Sequence, residues 1–178
     1  MIDLRRFSPA DPSLIRIDNR LVHGQILEAW VPFISASHIV VVNDEVADDL
    51  FRESIIRMAV PREIEMRVYS VEAFSRNLVY KNYIEKKSIV LFSSIDDLLR
   101  AYSLGFRFDN LNIGNVYNDD CVCQPTVAVS LSENNVKDLI LLSDSGVKIE
   151  IRCVPRDSPI DFLEVIKKLS NSRHNQGI

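Results

Sequence analysis

Short runs of aliphatic and β-branched residues alternate with amphipathic stretches along most of the chain. Residues 38–43 contain the apolar run Ile-Val-Val-Val, which is typical of a strand buried on both faces of a parallel sheet. Residues 24–34, which precede that run, carry apolar side chains at helical spacing. Strands that alternate with helices at this rhythm predict an α/β fold, with a mostly parallel central β-sheet and helices on both faces.

The same patterns predict where the individual elements lie. Strands are expected at residues 14–18, 38–43, 64–69, 88–92, 111–114, 126–131 and 147–154. Helices are expected at residues 24–34, 44–59, 94–104 and 132–146, after Ser70, and from Ser158-Pro159 to about residue 169. The polar, irregular residues 117–125 are predicted to form a loop.

A chain of 178 residues is expected to form one domain. We predict that residues 14–170 form this single α/β domain. Residues 1–13 are expected to be an N-terminal extension, and the polar residues 171–178 a flexible tail.

Charge and composition exclude several classes of protein. The net charge of −4 and the pI near 5.4 argue against nucleic acid as a partner. No apolar run is long enough to span a bilayer, and no apolar segment of a secretory signal follows Arg5 and Arg6, so a cytoplasmic protein is expected. The spacing of Cys121, Cys123 and Cys153 fits neither a zinc site nor a disulfide framework, and no metal is expected.

The first predicted strand runs into the motif R-I-D-N-R-L-V-H-G-Q at residues 16–25. The helix predicted to begin at about Gly24 offers free N–H groups and a positive dipole end, which suit an anion. Arg20 adds a guanidinium that grips phosphate, and a neutral imidazole at His23 is a nucleophile near neutral pH. The combination predicts that His23 accepts a phosphoryl group. The alternative is a plain polar surface histidine, and His38 is expected to be structural.

Polar residues also follow the other predicted strands. Because ligands bind beyond the carboxyl ends of parallel strands, these residues are candidates for supporting roles. They are Asn43, Asp44, Ser93, Ser94, Gly114, Asn115 and Tyr117. For Asp44 and Ser94, helix capping alone is the favoured explanation.

Residues 15–30, with this motif and Trp30, resemble the start of enzyme IIB subunits of the mannose/fructose/sorbose family of the sugar phosphotransferase system. The stretches I-V-V-V-N-D-E-V-A, L-N-I-G-N and G-V-K-I-E-I-R-C-V-P resemble later parts of the same family, so that about residues 14–157 are covered. Asn19 and the pair Gly114-Asn115 are similar to the N-acetylgalactosamine-type branch.

The resemblance implies a phosphohistidine–sugar phosphotransferase. Enzyme IIB accepts a phosphoryl group from enzyme IIA and passes it to a sugar delivered by the membrane subunits IIC and IID. It implies His23 as the phosphoacceptor, through Nδ1, Arg20 as a phosphoryl contact and Asp18 as the residue that orients Arg20 or the loop. Together with their positions in the predicted fold, it leads us to expect Gly24, Gln25 and Ser93 around the phosphoryl group. Asn43, Asp44, Gly114 and Asn115 are expected as substrate or loop residues nearby. No cofactor is implied; a peripheral association with a membrane permease complex is expected, and a homo-oligomer is compatible with the fold.

Two departures from the family pattern leave other functions open. About a dozen residues precede the first strand, and residues 117–125 are acidic, with Asp119 and Asp120, where family members usually carry a basic segment. The chain could therefore be a regulatory phosphoacceptor that reports phosphotransferase flux without sugar transfer. A small-molecule-binding α/β domain with no covalent step is the third interpretation.

Overall fold

The structure, a computed structural model, describes residues 13–76 and 87–174. The strands are β1 Ser13–Asp18, β2 His38–Val42, β3 Glu65–Tyr69, β4 Ser88–Phe92, β5 Asn110–Asn115, β6 Cys123–Thr126, β7 Val129–Leu131, β8 Lys148–Ile151 and β9 Ile160–Asp161. Helix α1 begins at Gly24, is π-helical over Ile26–Trp30 and α-helical over Val31–Ile34. The other helices are α2 Asp44–Asp48, α3 Leu50–Ala59, α4 Val71–Arg76, α5 Ile95–Ser103, α6 Glu133–Asp144 and α7 Phe162–His174.

The described residues form a seven-stranded sheet in the order β3-β2-β4-β1-β5-β8-β9. All neighbouring strands from β3 to β8 are parallel, and only β9 runs antiparallel. The carboxyl ends of β1, β2, β4 and β5 therefore meet at one edge, where parallel sheets bind ligands. The mostly parallel sheet of the sequence prediction is confirmed.

The two faces of the sheet pack against different helices, because successive side chains along a strand point to opposite sides. Ile15 and Ile17 of β1 belong to a core that includes Leu98 of α5. Leu14 belongs to a second core with Trp30 of α1. Helices thus cover both faces, as predicted, and every second residue of β1 faces α1.

The helix predicted over residues 44–59 is divided in two. Asp49 is extended (φ −117°, ψ 90°), and its carboxylate accepts the N–H groups of Phe51 and Arg52 at 3.0 Å each. Asp49 thus caps α3, and this side-chain competition with the backbone ends α2 where apolar spacing predicts continuity.

Two further predicted boundaries are wrong. Residues 123–126 form β6, which pairs antiparallel with β7, so the predicted loop ends earlier and the strand predicted over 126–131 contains a turn. Ser158-Pro159 does not open the last helix, because Ile160–Asp161 first pairs with β8. The Asp161 carboxylate then accepts the N–H of Leu163 at 2.8 Å and caps α7.

The predicted domain bounds stay predictions. Helix α7 extends to His174, beyond the predicted start of the tail. Residues 1–12 of the predicted extension and residues 175–178 of the tail lie outside the described residues, as do residues 77–86.

Candidate active site

His23 lies between β1 and the helix that begins at Gly24, as the sequence predicts. Its carbonyl oxygen accepts the N–H groups of Ile26 at 2.9 Å and Leu27 at 3.1 Å. The N–H groups of Gly24 and Gln25 belong to the first helical turn and have no partner within the helix. Both residues are exposed, so the positive end of the helix dipole is open to an anion beside His23.

The His23 imidazole is held from both sides. Its Nδ1 lies 2.8 Å from the carbonyl oxygen of Leu21, so that nitrogen carries the proton and donates it. Its Nε2 lies 3.7 Å from Oδ2 of Asp18, is shielded from solvent and has no hydrogen-bond partner among the described residues. Leu21 has a φ of 56°, uncommon for a residue other than glycine. Its side chain is buried, which holds the loop in this conformation.

Arg20 and Asp18 form a two-pronged ion pair next to the imidazole. Nε of Arg20 donates to Oδ1 of Asp18 at 3.0 Å, and Nη2 donates to Oδ2 at 3.0 Å. The backbone N–H of Arg20 also reaches Oδ1, and Nη2 is shared with Oε1 of Gln25 at 3.0 Å. The Arg20 side chain is 40% exposed while that of Asp18 is fully buried. Asp18 therefore orients a guanidinium that remains accessible to a ligand.

A second arginine lies beneath this pair. Arg16 is fully buried and donates from Nη2 to Oδ2 of Asp18 at 2.8 Å. Its guanidinium also donates to the carbonyl oxygens of Arg152 at 2.9 Å and Cys153 at 3.1 Å, and to Oδ1 of Asn112. Burial lowers the pKa of Arg16, and the carboxylate of Asp18 opposes that shift.

Trp30 of α1 covers Arg16. Its ring centroid lies 5.3 Å from Cζ of Arg16, and its Nε1–H donates to the carbonyl oxygen of Cys153 at 3.0 Å. A Cβ built on Gly114 would overlap the Arg16 guanidinium. The predicted site residue Gly114 thus provides space for a buried side chain.

Ser93, predicted to bind the phosphoryl group, follows the strand beside β1. Its hydroxyl accepts a hydrogen bond from Nδ2 of Asn43 at 2.9 Å and donates to Oδ2 of Asp97 at 3.1 Å. The structure thus brings Ser93 to the same edge of the sheet as Asp18 but engages its hydroxyl elsewhere. Its phosphoryl-binding role stays a prediction.

Asn43 and Asp44 connect neighbouring elements. Oδ1 of Asn43 accepts the N–H of Val46 at 2.9 Å and caps α2. The carboxylate of Asp44 accepts the N–H of Val71 and a hydrogen bond from Arg100, both at 2.8 Å. The hydrogen bond from Val71, followed by the contact with Arg100, lowers the pKa of Asp44. The contacts of Asn43 are those of a helix cap, whereas Asp44, the first residue of α2, connects that helix to Val71 of α4 and Arg100 of α5.

The Asn43→Ala variant is expected to lose about 1–2 kcal/mol of unfolding free energy, because the N–H of Val46 loses its cap. Urea denaturation of the purified protein measures the change. Asn43→Ser is the matched control, since serine caps helices as well as asparagine and should retain most of the stability. Equal stability of the alanine variant and the wild type would show that the cap contributes nothing.

Asn115 lies next to Asp18, its partner in the pairing of β5 with β1. Its carbonyl oxygen accepts the N–H of Asn19 at 3.2 Å, which ties the start of the His23 loop to β5. Residues 117–122, which contain Asp119 and Asp120 and are called the acidic loop below, follow β5 closely. The Tyr117 hydroxyl donates to Asp119 at 2.9 Å. The acidic loop thus begins at the edge of the sheet that carries the site.

An open groove of about 770 Å³ begins at Gly24 and Gln25 and runs along α1. Phe33 and Pro155 contribute apolar surface, and Glu28 and Arg156 contribute charges of opposite sign. The groove gives a partner molecule a concave surface next to His23.

Neither a metal cluster nor a membrane span is found in the described part of the chain. No group of three or more His, Cys, Asp and Glu side chains within residues 13–76 and 87–174 is arranged to hold a metal ion. None of the helices described there has both the length and the apolar character that crossing a bilayer requires.

Comparison with known proteins agrees with the resemblance. The family model described as "PTS system sorbose subfamily IIB component" matches residues 12–177. The fructose-specific EIIB component of the Bacillus subtilis PTS is 31% identical over 157 residues, which cover 88% of this chain and 96% of that protein. The sorbose-specific EIIB component of Klebsiella pneumoniae is 32% identical over 158 residues, 88% of this chain and 95% of the other. The crystal structure of the IIBSor domain of the Klebsiella pneumoniae sorbose permease matches with a TM-score of 0.76 at 31% identity, covering 87% of this chain and 95% of that one.

Proposed function

We propose that this chain, which belongs to the sorbose subfamily of phosphotransferase-system IIB components, carries a phosphoryl group on His23. Proteins of this family take part in sugar phosphotransfer during uptake. In the proposed cycle, a nitrogen of His23 attacks the phosphorus of a phosphohistidine on enzyme IIA, and the IIA imidazole leaves. A sugar hydroxyl, presented by the membrane subunits IIC and IID, then attacks the same phosphorus and releases His23.

The observation that carries the proposal is the placement of His23 between a free helix start and the exposed guanidinium of Arg20. Phosphoryl transfer places charge on three equatorial oxygens, so a protein catalyses it mainly by positioning and by charge stabilisation. The N–H groups of Gly24 and Gln25 and the guanidinium of Arg20 are donors of this kind, and no metal ion is required for them to act.

The imidazole has to turn before it reacts. Nδ1, the proposed acceptor, is engaged with the carbonyl oxygen of Leu21, and Nε2 is shielded beside Asp18. We infer that docking of the donor releases the contact with Leu21. The ring then exchanges protons with water to reach the other tautomer, in which Nε2 carries the proton beside Oδ2 of Asp18 and Nδ1 is the unprotonated nucleophile. Nitrogen-15 NMR of the imidazole in the labelled protein distinguishes phosphorylation at Nδ1 from phosphorylation at Nε2.

We propose that the protein donor, enzyme IIA, covers the groove along α1. Phe33 and Pro155 give it an apolar surface to cover, and Glu28 and Arg156 add one charge of each sign. The acidic loop at Tyr117 and Asp119 is a second surface near the site, and we propose that it contributes to the choice of partner. Action on the cytoplasmic side of a permease complex is part of the proposal.

Arg20→Gln is expected to slow phosphorylation of His23 by about 10²-fold, because one preorganised donor to the developing charge is lost. Quench-flow measurement with phosphorylated enzyme IIA gives the rate constant. Arg100→Gln is the control: Arg100 also lies at this edge of the sheet, is 53% exposed and pairs with Asp44 instead of Asp18. Equal slowing in both variants would mean that general surface charge, and not the placement of Arg20, assists the transfer.

Transfer onward to sugar tests the second half of the cycle. Labelled protein is mixed with membrane vesicles that contain IIC and IID subunits and with a panel of sugars. Movement of label to one sugar is the expected result. Label that forms and then stays on the protein with every sugar and subunit pair would support the regulatory phosphoacceptor instead.

A further inference from the structure

We propose that Arg16 is a positioning residue for the phosphoryl transfer, acting through Asp18 on Arg20 and His23. The inference rests on the proposed function and adds a residue that never touches the phosphoryl group. Arg16 is fully buried, and its hydrogen bonds run to groups inside the protein.

Asp18 is the point through which Arg16 acts. One carboxylate oxygen, Oδ2, accepts Nη2 of Arg16 at 2.8 Å and Nη2 of Arg20 at 3.0 Å, and it lies 3.7 Å from Nε2 of His23. A shift in the position of this oxygen therefore moves the exposed guanidinium and changes the surroundings of the imidazole. Displacements of about 1 Å in a reacting group cost about 10²-fold in rate.

Charge gives a second reason for the buried arginine. Asp18 alone, in a two-pronged pair with Arg20, would neutralise the guanidinium that is proposed to hold the phosphoryl group. Arg16 donates to the same carboxylate from the protein interior, so that two guanidinium groups contact one carboxylate. Arg20 is the member of the trio that reaches solvent.

A row of polar side chains across three strands fixes Arg16 in place. Arg16, Asn112 and Glu150 are register neighbours on β1, β5 and β8. Oδ1 of Asn112 accepts from Arg16, and its Nδ2 donates to Oε1 of Glu150 at 2.8 Å. All three side chains are fully buried, and the row holds the guanidinium through Nη1 while Nη2 pairs with Asp18.

The packing around the guanidinium leaves it little freedom. Trp30 lies over it, and Gly114 lies so close that no other residue type leaves room for it. Buried ion pairs are often no more stabilising than apolar residues of the same volume, because removing charges from water costs several kcal/mol. A function that needs a fixed carboxylate explains why such a pair lies directly beneath the helix start better than stability does.

A single-turnover experiment separates positioning from folding. The full-length protein is mixed with saturating phosphorylated enzyme IIA, and acid-labile phosphate on the protein is followed in time. The final amplitude reports how much protein is folded and competent, and the rate constant reports how well the competent molecules react. A purely structural residue changes the amplitude and leaves the rate constant unchanged.

Arg16→Met is compared with Arg152→Met. Arg152 is a buried arginine that also faces Trp30, at 5.7 Å, but its guanidinium donates to the backbone carbonyls of Pro155 and Asp157 instead of Asp18. We expect Arg16→Met to lower the rate constant about 10- to 100-fold, with an unchanged half-saturating donor concentration. Arg152→Met is expected to change the rate constant less than about threefold, whatever its amplitude.

Asn112→Ala keeps the ion pair of Arg16 with Asp18. It tests whether the position of Arg16 affects the rate constant even if Arg16→Met gives no folded protein. It is expected to lower the rate constant in the same direction by a smaller factor. If Asn112→Ala and any competent Arg16→Met both react with the wild-type rate constant, the inference about Arg16 is overturned and the proposed function still stands. Absence of label on the wild type and on Arg152→Met would instead overturn the proposed function.

Discussion

His23→Ala is expected to take up no acid-labile phosphate from phosphorylated enzyme IIA, a loss of at least about 10³-fold in rate relative to the wild type. The physical reason is that alanine removes the nucleophile itself, whereas removal of a charge-stabilising donor leaves a residual reaction. Labelling with radioactive phosphate, followed by electrophoresis at alkaline pH, measures the loss. Circular dichroism establishes that the variant is folded, which is expected because His23 lies in a loop and is partly exposed.

His38→Ala is the matched control for this experiment. The two histidine side chains are similarly exposed, 18% for His23 and 15% for His38, and each lies near a carboxylate, Asp18 and Glu65 respectively. Full labelling of His38→Ala is therefore expected. Label that persists in His23→Ala, or that disappears in His38→Ala, would assign the phosphoryl group to another residue.

Gly114→Ala is expected to cost about 3 kcal/mol or more of unfolding free energy, near the upper end for a single substitution. The added methyl group would occupy the position of the Arg16 guanidinium, which is enclosed by Trp30 and hydrogen-bonded on several sides. The guanidinium cannot move away from the added methyl group without breaking its buried hydrogen bond to Asp18. Chemical denaturation of the purified variant gives the change in free energy.

Gly24→Ala is the control for this stability measurement. A Cβ at Gly24 meets only Oε1 of Glu28, at 4.0 Å, so alanine fits there without displacement. It should leave stability unchanged or raise it by up to about 1 kcal/mol, since alanine favours helix. A Gly114→Ala protein as stable as Gly24→Ala would show that the guanidinium is free to move, and would weaken the account of Arg16.

The alternation of apolar runs and helical spacing was sufficient to predict the parallel sheet and the start of the helix after His23. Both depend on the spacing of apolar residues, which can be recognised within a single short stretch of sequence. The division of the helix at Asp49 was not predicted, because a single side-chain cap outweighed continuous apolar spacing. Pairing of Ile160–Asp161 with β8 was missed for a related reason, since tertiary pairing overrode the strong local signal of Ser158-Pro159.

The buried contacts of Arg16 were harder to predict than the grouping of Asp18, Arg20 and His23. His23, Arg20 and Asp18 are close in sequence, so their motif places them together. Arg16 and Asn112 meet only because β1 and β5 are neighbours in the sheet with that particular register. One signal was available: a charged residue at a position of a central strand that alternates with buried apolar residues has to be paired.

The most direct test of the central claim is to identify the phosphorylated residue in the wild-type protein. The protein is labelled with phosphorylated enzyme IIA, digested at neutral to alkaline pH, and analysed by mass spectrometry with fragmentation that preserves phosphohistidine. The account predicts one phosphoryl group, located on His23. A phosphoryl group located on any other residue, or none after complete consumption of an active donor, would contradict it.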